Sequence, residues 1–374
     1  MNFGNGYRLK KNNLNRLRPF IIRVNTANSG FSNNDQFQFT GALGNYFVKA
    51  KQSGSLVATY TGLIGQQTIT LPSSGIYDLE VFPSTVSGLS VLRFDDSGDI
   101  LKPNKIKQFG VFNDNRNALF NGCENLSEIA NDCEHFNTIT SGNQMFQDNN
   151  LTSLPSAMTL DVLTDGSLMF WNNSLTSLPS AMTLDVLTDG QKMFRSNSLT
   201  SLPSAMILDV LTNGAEMFQS NSLTSLPSVM TLAALTNGNL MFLNNSLTSL
   251  PSAMSLTNLT NGRQMFQNNF LASLPAAMTL AALTNGSFMF QNNLLTSLPN
   301  GVVLHNLTDG ERMFEGNTLD TARYSQLLID MESGNNNLNV DFHGGNSQYN
   351  SSGQTARTAL INNQNWVITD GGLI

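Results

Sequence analysis

The chain has 374 residues, of which 40% are hydrophobic and 12% are charged, and its formal net charge is −7. Globular proteins average about a quarter charged residues, so this surface offers mainly Asn, Ser and Thr amides and hydroxyls. The negative balance argues against nucleic-acid binding, and no apolar run approaches the roughly 20 residues of a membrane span. Two cysteines, Cys123 and Cys133, supply no disulfide framework, although they could either pair or stay reduced.

The beginning of the chain is basic. Before the first acidic residue, Asp35, the basic side chains are Arg8, Lys10, Lys11, Arg16, Arg18 and Arg23. The segment lacks the apolar core of a secretory signal, so we expect no signal peptide. A solvated, disordered tail is one interpretation. We favour an arm over residues 1–18 that anchors the protein to a larger, acidic partner, because the sequence places no counter-charge nearby.

Residues 19–95 are predicted to form a small β-sandwich. Segments with alternating or β-branched residues, separated by turn signals such as Ser53-Gly54, are Phe20–Val24, Gln36–Thr40, Asn45–Ala50, Leu56–Tyr60, Gln67–Leu71 and Tyr77–Phe82. Residues 96–140 resemble the repeat that follows but depart from its spacing. Cys123 stands where later copies have Asn, and one extra residue precedes Leu126, so we expect atypical capping repeats here.

Residues 141–318 repeat one motif every 24 residues. The Phe residues one period apart are Phe146, Phe170, Phe194, Phe218, Phe242, Phe266, Phe290 and Phe314. Each follows a Met, precedes an Asn by three residues and follows a Gly by four. A fixed period in this range predicts a solenoid, in which each copy buries its apolar side only by stacking on its neighbours. We expect the Met, Phe and Asn columns to point inward, the Asn side chains satisfying backbone groups of the turns.

Each copy is predicted to have two walls and a corner. Leu151 and Leu154 should lie on a short parallel strand, and Pro155 should mark a corner because it lacks an N–H for the ladder. Residues 160–164 should form a second wall, and the Met-Phe pair a short inward helical segment. Residues 319–374 are predicted to form an α/β C-terminal cap in which helices at 318–333 and 354–361 alternate with strands at 339–342 and 366–369.

The unit Met-Phe-x-x-Asn-x-Leu-Thr-Ser-Leu-Pro, with Leu-x-x-Leu-Thr-x-Gly, resembles the BspA-like class of leucine-rich repeats found in bacterial surface proteins and in phage fibre or receptor-binding proteins. The resemblance covers residues 120–317, and the tail from Gln354 to Gly372 is similar to the ends of such proteins in Bacteroidetes and their phages. It implies a mainly β leucine-rich-repeat solenoid that serves adhesion or receptor contact. It provides no catalytic residues.

Two columns of the repeat vary between copies. One contains Trp171, Arg195, Gln219, Leu243, Gln267, Gln291 and Glu315, and the other contains Leu168, Lys192, Glu216, Leu240, Gln264, Phe288 and Arg312. Varied chemistry within an invariant frame indicates outward-facing side chains. Neutral drift on a solvated face is one explanation. The other is a recognition stripe for a partner, with Trp171, Arg195, Leu243, Phe288 and Arg312 as the contacting residues.

Catalytic and metal-binding patterns are not evident in the sequence. The histidines His135, His305 and His343 are scattered, without metal-ligand spacing. Asp165 and its acidic copies precede Gly, but other copies have Asn, so turn chemistry accounts for them better than calcium. We therefore expect no enzyme activity, no cofactor and no metal.

Three functions are conceivable for a repeat of this surface type. We favour a non-enzymatic virion structural protein, of the tail or head fibre type, because the particle itself would carry such a protein outside the cell. A bacterial cell-surface adhesin is the alternative and would need an export signal; a glycan-processing enzyme would need paired acids. On the favoured interpretation the protein lies on the virion surface as a homo-oligomer or in several copies. Its N-terminal region binds other virion proteins and its repeats bind a host surface glycan or protein.

Overall fold

The computed structural model describes residues 18–41, 44–84, 92–94, 97–110 and 118–374. The chain forms two compact units. The first contains the described residues up to 160 together with Leu168–Leu175, and the second contains Asp161–Ser167 and Thr176–Ile374. The predicted anchoring residues Arg8, Lys10, Lys11 and Arg16 lie outside the described residues.

The first unit contains two antiparallel sheets. Its strands are β1 (Phe20–Asn25), β2 (Gln36–Phe39), β3 (Asn45–Gln52), β4 (Ser55–Ile64), β5 (Gln67–Thr70), β6 (Ile76–Pro83) and β7 (Pro103–Gln108). One sheet has the order β4-β3-β6-β1-β7, and the other pairs β2 with β5. The predicted strands are confirmed as β1 to β6. The T-shaped contact of Phe39 with Tyr46, with ring centroids 5.8 Å apart, joins β2 to β3.

Strand β7 was not predicted, because Pro103–Gln108 begins with Pro and contains few β-branched residues. It lies at the edge of the larger sheet, next to β1, where a Pro without a ladder N–H is tolerated. The sheet therefore includes residues beyond the predicted end of the β-sandwich at residue 95, within the segment assigned to capping repeats.

Strand β1 alternates between buried and half-buried side chains, as one-sided burial requires. Phe20, Ile22 and Val24 point into the core. Arg23 points the other way, and its Nε donates to Asp78 Oδ1 of β6 at 2.8 Å. The expectation that the early basic residues lack a counter-charge is therefore wrong for Arg23, since strand pairing brings together residues 55 positions apart.

Successive copies of the repeat stack within the second unit. The rings from Phe194 to Phe314 lie nearly parallel, with centroids of neighbours 5.5–5.7 Å apart. The backbone pairs copy to copy in parallel: Gly190 N, Lys192 N and Phe194 N each donate to the next copy at 2.9–3.0 Å. The Met and Phe columns are fully buried, as expected.

The local structure of each copy differs from the prediction in three places. The parallel bridges lie at the residue before each Gly, as in Asp189↔Asn213, and not at the predicted Leu wall. Leu160 adopts a φ of 57°, so the second wall begins with a left-handed residue. The Met-Phe pair lies in a hydrogen-bonded turn (Met193 N to Gly190 O, 3.0 Å) and not in a helix. The Pro corner is confirmed, since Met158 N donates to Pro155 O at 3.0 Å.

The C-terminal elements follow the predicted order. They are α1 (Thr321–Gly334), β8 (Asp341–His343), α2 (Ser351–Gln364) and β9 (Val367–Thr369), and β8 and β9 are parallel. The Arg323 guanidinium, buried in α1, donates to the carbonyl oxygens of Leu298, Pro299 and Val302 at 2.8–3.2 Å and so covers the last copy. Among the described residues, no helix has the length and apolarity to cross a membrane.

Candidate recognition surface

The Asn column fixes the backbone that carries the variable side chains. Asn245 Nδ2 donates to Phe218 O at 2.9 Å and to Phe242 O at 3.2 Å, while its Oδ1 accepts from Leu223 N at 3.0 Å. The same arrangement recurs at Asn269, and both side chains are at most 7% exposed. The prediction of a backbone-bonded Asn column is confirmed, and burial is confirmed except at Asn197 and Asn221, which are half-buried. Asn245 and Asn269 each tie one turn to the turn of the preceding copy.

The first copy shows why the column needs strict spacing. The extra residue before Leu126 allows Leu126 N to donate to Cys123 O at 2.7 Å. In later copies the equivalent Leu N–H donates instead to the Oδ1 of the Asn in the following copy, as Leu151 N does to Asn173. Because Leu126 N already bonds Cys123 O, Asn149 Oδ1 lacks this donor and is buried without a hydrogen-bond partner among the described residues. Cys123 and Cys133 are both buried and form no disulfide, so the alternative that they pair is wrong.

Most side chains of the two variable columns are half-buried; Arg312 is exposed, and Leu243 and Gln291 are buried. Leu243 is only 7% exposed, which corrects its assignment as an exposed anchor of the stripe. Trp171 is half-buried and lies in the first unit, whereas Arg195, Phe288 and Arg312 lie in the second. The column that contains Phe288 has positive φ, at 59° for Phe288 and 52° for Arg312. The sequence did not reveal this conformation because the column contains ordinary side chains and no Gly.

Side chains of the variable columns bind one another across copies. The Glu216 carboxylate accepts a hydrogen bond from Arg195 and lies 3.6 Å from Lys192 Nζ. Its side chain is only 15% exposed, so both basic residues neutralise a charge that is largely removed from water. The Arg195 guanidinium is therefore engaged in an internal ion pair, which makes it less available to a partner.

A cation–aromatic cluster centred on Phe288 lies three copies beyond Glu216. The Phe288 ring is flanked by Arg263 and Arg312, whose guanidinium carbons lie 5.9 and 5.7 Å from its centroid. Arg312 also approaches Glu315 at 3.8 Å, and its side chain remains 53% exposed. Of the predicted contacting residues, Arg312 is thus the one most open to a partner and Phe288 the one that orients it.

A row of glutamines runs beside this cluster. Gln264 Nε2 donates to Gln267 Oε1 at 2.6 Å. Gln267 donates in turn to Gln291, and Gln291 donates to the Glu315 carboxylate. The chain of amides has one direction: Gln264 donates to Gln267 within one copy, and Gln267 and Gln291 each donate to the side chain one copy further along. It holds these side chains in a single orientation at the surface.

Sequence reasoning missed two exposed columns next to the glutamine row. One contains Asn244, Asn268 and Asn292, which are linked side chain to side chain. The other contains Phe270 and Leu294, which are 53% and 59% exposed. A detectable signal was present, since four other copies have Ser where these two have large apolar residues.

Arg18 is the predicted anchoring residue that the structure describes. Its guanidinium lies 3.3 Å from the Asp132 carboxylate, and its side chain is 63% exposed. The expectation that it has no internal counter-charge is wrong, because the fold brings Asp132 to the start of β1. An exposed pair of this kind contributes about 0–1 kcal/mol, so most of the Arg18 charge is still available to a partner.

Titratable groups elsewhere serve packing or turns. The His135 ring lies 5.0 Å from Phe109, and burial lowers its pKa to about 4. Burial likewise raises the pKa of Cys133 to about 12. Asp189 Oδ1 accepts from Gln191 N at 2.9 Å, as the predicted turn chemistry requires. The described part of the chain brings together no group of three or more His, Cys, Asp or Glu suited to a metal ion.

No protein-family model matches the chain, and no curated protein matches its sequence. The resemblance to the BspA-like repeats therefore rests on the repeated motif residues themselves. The observations that bear on function are the side chains that the repeats expose.

Proposed function

We propose that the protein is a non-enzymatic virion structural protein, of the tail or head fibre type, that presents a leucine-rich-repeat solenoid for attachment to the host cell surface. One observation carries the proposal: chemically varied side chains stand in fixed register on an otherwise repeated frame. The row from Lys192 to Glu315 changes from an ion-paired cluster to an arginine–phenylalanine cluster and a glutamine row, while the buried columns remain constant.

The frame suits a binding surface because its side chains are already ordered. An ion pair holds Arg195, and hydrogen bonds between side-chain amides hold Gln267 and Gln291, in single orientations. A partner that binds such a surface loses little side-chain entropy, which otherwise costs about 0.5–1.5 kcal/mol per immobilised side chain. The constant frame also lets single surface positions change without altering the fold.

The basic N-terminal segment is proposed to dock the protein to other virion proteins. It contains Arg8, Lys10, Lys11 and Arg16, followed by the exposed Arg18. Several basic side chains close together favour an acidic surface and fast association with it. Docking through this segment leaves the repeats free to contact the host, with the protein present as a homo-oligomer or in several copies.

Locating the protein tests the proposal most directly. We expect mass spectrometry to find it in purified virions that carry this gene, and antibodies against the repeats to label the particle surface in electron micrographs. A protein found on bacterial cells and not in particles would contradict the virion role and support the adhesin alternative.

A truncation separates docking from folding. Removing residues 1–17 keeps the Arg18–Asp132 pair and every strand of the described residues, so the free energy of unfolding should not change, while incorporation into particles is lost. A variant with Gln in place of Arg8, Lys10, Lys11 and Arg16 is the matched control for charge. Truncated protein that enters virions at the parental copy number would refute the anchoring role.

A further inference from the structure

We propose that the edge of the second unit formed by residues 267–270 and 291–294, here called the amide–apolar corner, binds a neutral glycan. The inference rests on the proposed attachment function and narrows the partner from any host surface molecule to a carbohydrate. It also moves the contact from the predicted contacting residues of the stripe to neighbouring side chains, above all Asn268, Phe270, Asn292 and Leu294.

The corner exposes large apolar side chains where other copies are polar. Phe270 and Leu294 lie one repeat apart and are 53% and 59% exposed. At the same position, other copies have Ser174, Ser198, Ser222 and Ser246. The frame accepts serine there, so folding does not demand the apolar residues. Adjacent exposed apolar side chains that the fold does not need are available for contact with a ligand.

An exposed row of amides lies two residues away in each copy. Asn268 Nδ2 donates to Asn244 Oδ1 at 2.8 Å, and Asn292 Nδ2 donates to Asn268 Oδ1 at 2.9 Å. A side-chain amide has two N–H donors and two acceptor lone pairs, so the Asn268 amide retains one donor and one lone pair for a ligand. A planar group that both donates and accepts matches the hydroxyl groups of a sugar, which do the same.

The backbone of the corner is fixed before any ligand binds. Asn268 N donates to Gln291 O at 3.0 Å, and Leu294 N donates to Leu271 O at 2.9 Å. Asn268 and Asn292 have φ of 56° and 55°, a left-handed conformation that Asn tolerates well. The amides and the apolar side chains therefore keep constant relative positions, and ligand binding requires little ordering.

The chemistry favours a carbohydrate over a protein. A sugar ring presents apolar C–H faces and hydroxyl edges together, and the corner presents an apolar pair beside an amide row. None of the eight corner residues is charged, so an uncharged sugar fits best. The same pair of groups recurs in two copies, at the spacing set by Phe266 and Phe290, 5.7 Å between ring centroids. A stable protein interface needs about 1,000 Å² or more, which two apolar side chains do not supply.

Two double variants test the corner without changing the frame. Phe270→Ser with Leu294→Ser introduces the residue of four other copies. Asn268→Ser with Asn292→Ser introduces the residue found at Ser196 and Ser220, which have φ of 54° and 55°. The matched control, Val186→Ala with Val210→Ala, changes exposed apolar residues of another column to the residue found at Ala234 and Ala282.

Affinity electrophoresis of the full-length protein measures binding to soluble neutral polymers of glucose, mannose, galactose or N-acetylglucosamine, with polygalacturonate as the acidic comparison. We expect at least one neutral polymer to retard the parent. Each corner variant should raise Kd at least tenfold, equivalent to about 1.4 kcal/mol, and the valine control should stay within twofold. The proposal is wrong if no neutral polymer retards the parent, if only polygalacturonate does, or if the corner variants bind like the control.

A cell-binding assay distinguishes the glycan proposal from the proposed attachment function. Periodate, which oxidises vicinal diols, should abolish binding of the purified protein to cells, and protease treatment of the cells should not. Binding that survives periodate and the corner substitutions but is lost with protease would overturn the glycan assignment while leaving attachment intact. Polymer retardation that depends on the corner, from a protein that is absent from virions and does not bind cells, would instead refute the proposed function alone.

Discussion

Replacing Asn245 by Ala should destabilise the second unit through backbone groups left without partners. Asn245 Oδ1 is the acceptor for Leu223 N at 3.0 Å, and no other acceptor is within reach of that buried N–H. The two carbonyls within 3.2 Å of Asn245 Nδ2 each keep another donor, since Asn221 also bonds Phe218 O and Asn269 also bonds Phe242 O. The substitution therefore leaves the Leu223 N–H without an acceptor and removes one of the donors to Phe218 O and to Phe242 O.

The expected loss of unfolding free energy follows from the hydrogen bonds that the substitution removes. A buried donor left unsatisfied costs about 1–3 kcal/mol, and a hydrogen bond lost from a group that keeps a partner costs about 0.5 kcal/mol, at the low end of the usual range. We therefore expect Asn245→Ala to lower the free energy of unfolding by about 2–4 kcal/mol. The side chain is 7% exposed, so water does not readily replace the amide.

Two measurements check the result. Chemical denaturation followed by circular dichroism gives the loss of stability, and hydrogen exchange of the Leu223 amide reports the stranded N–H directly. The matched control is Asn244→Ser at the neighbouring exposed position, where Ser220 already occurs; it should change stability by less than about 0.5 kcal/mol. An Asn245→Ala protein that unfolds like its parent, with the Leu223 amide still protected, would refute the buried-column reasoning.

Three further predictions test packing, backbone conformation and titration. Phe218→Ala, which removes a fully buried ring stacked on both sides, should cost about 3–5 kcal/mol in a denaturant titration; a parental midpoint would contradict the inward column. Gly345→Ala should cost more than Gly372→Ala, because both have positive φ but only at Gly345 would a Cβ meet backbone carbonyl oxygens; calorimetry should show about 1–2 kcal/mol at Gly372 and more at Gly345. Because burial lowers the pKa of His135 from 6.5 to about 4, the unfolded state binds a proton first as pH falls. Stability should then drop between those values, and the parent and His135→Gln should differ in that drop; identical pH profiles would argue against a buried neutral ring.

Periodicity predicted the buried columns because burial in a stack is decided locally. Every Phe of the repeat meets the same neighbours, so one inference applies to all copies, and the Asn column follows from the same spacing. The path of the backbone could not be predicted this way. Leu160 and Phe288 adopt positive φ although neither is Gly, Asn or Asp, because copy-to-copy hydrogen bonds compensate for a conformation that the residue type disfavours.

Distant partners of charged side chains were also beyond the sequence. Lys102 and Asp99 are both fully buried, and the Lys102 ammonium donates to the carbonyl oxygens of Ser32, Asn33 and Gln36 at 2.9–3.0 Å. Nothing in the local sequence distinguishes Lys102 from a solvated lysine, because its acceptors lie about 70 positions earlier. Arg18 and Arg23 illustrate the same limit, since the tertiary fold brings Asp132 close to Arg18 and strand pairing brings Asp78 close to Arg23.

The separation of frame from surface explains how one repeat can support different contacts. The hydrogen bonds that hold the copies together use backbone groups and the buried Asn side chains, so they place no demand on the exposed positions. A Ser at 246 and a Phe at 270 therefore occupy equivalent positions with the same backbone bond, Ser246 N to Leu223 O and Phe270 N to Leu247 O, each at 2.9 Å. Because the frame accepts either residue, the fold does not select the apolar residues, and the proposed ligand at the amide–apolar corner would select them.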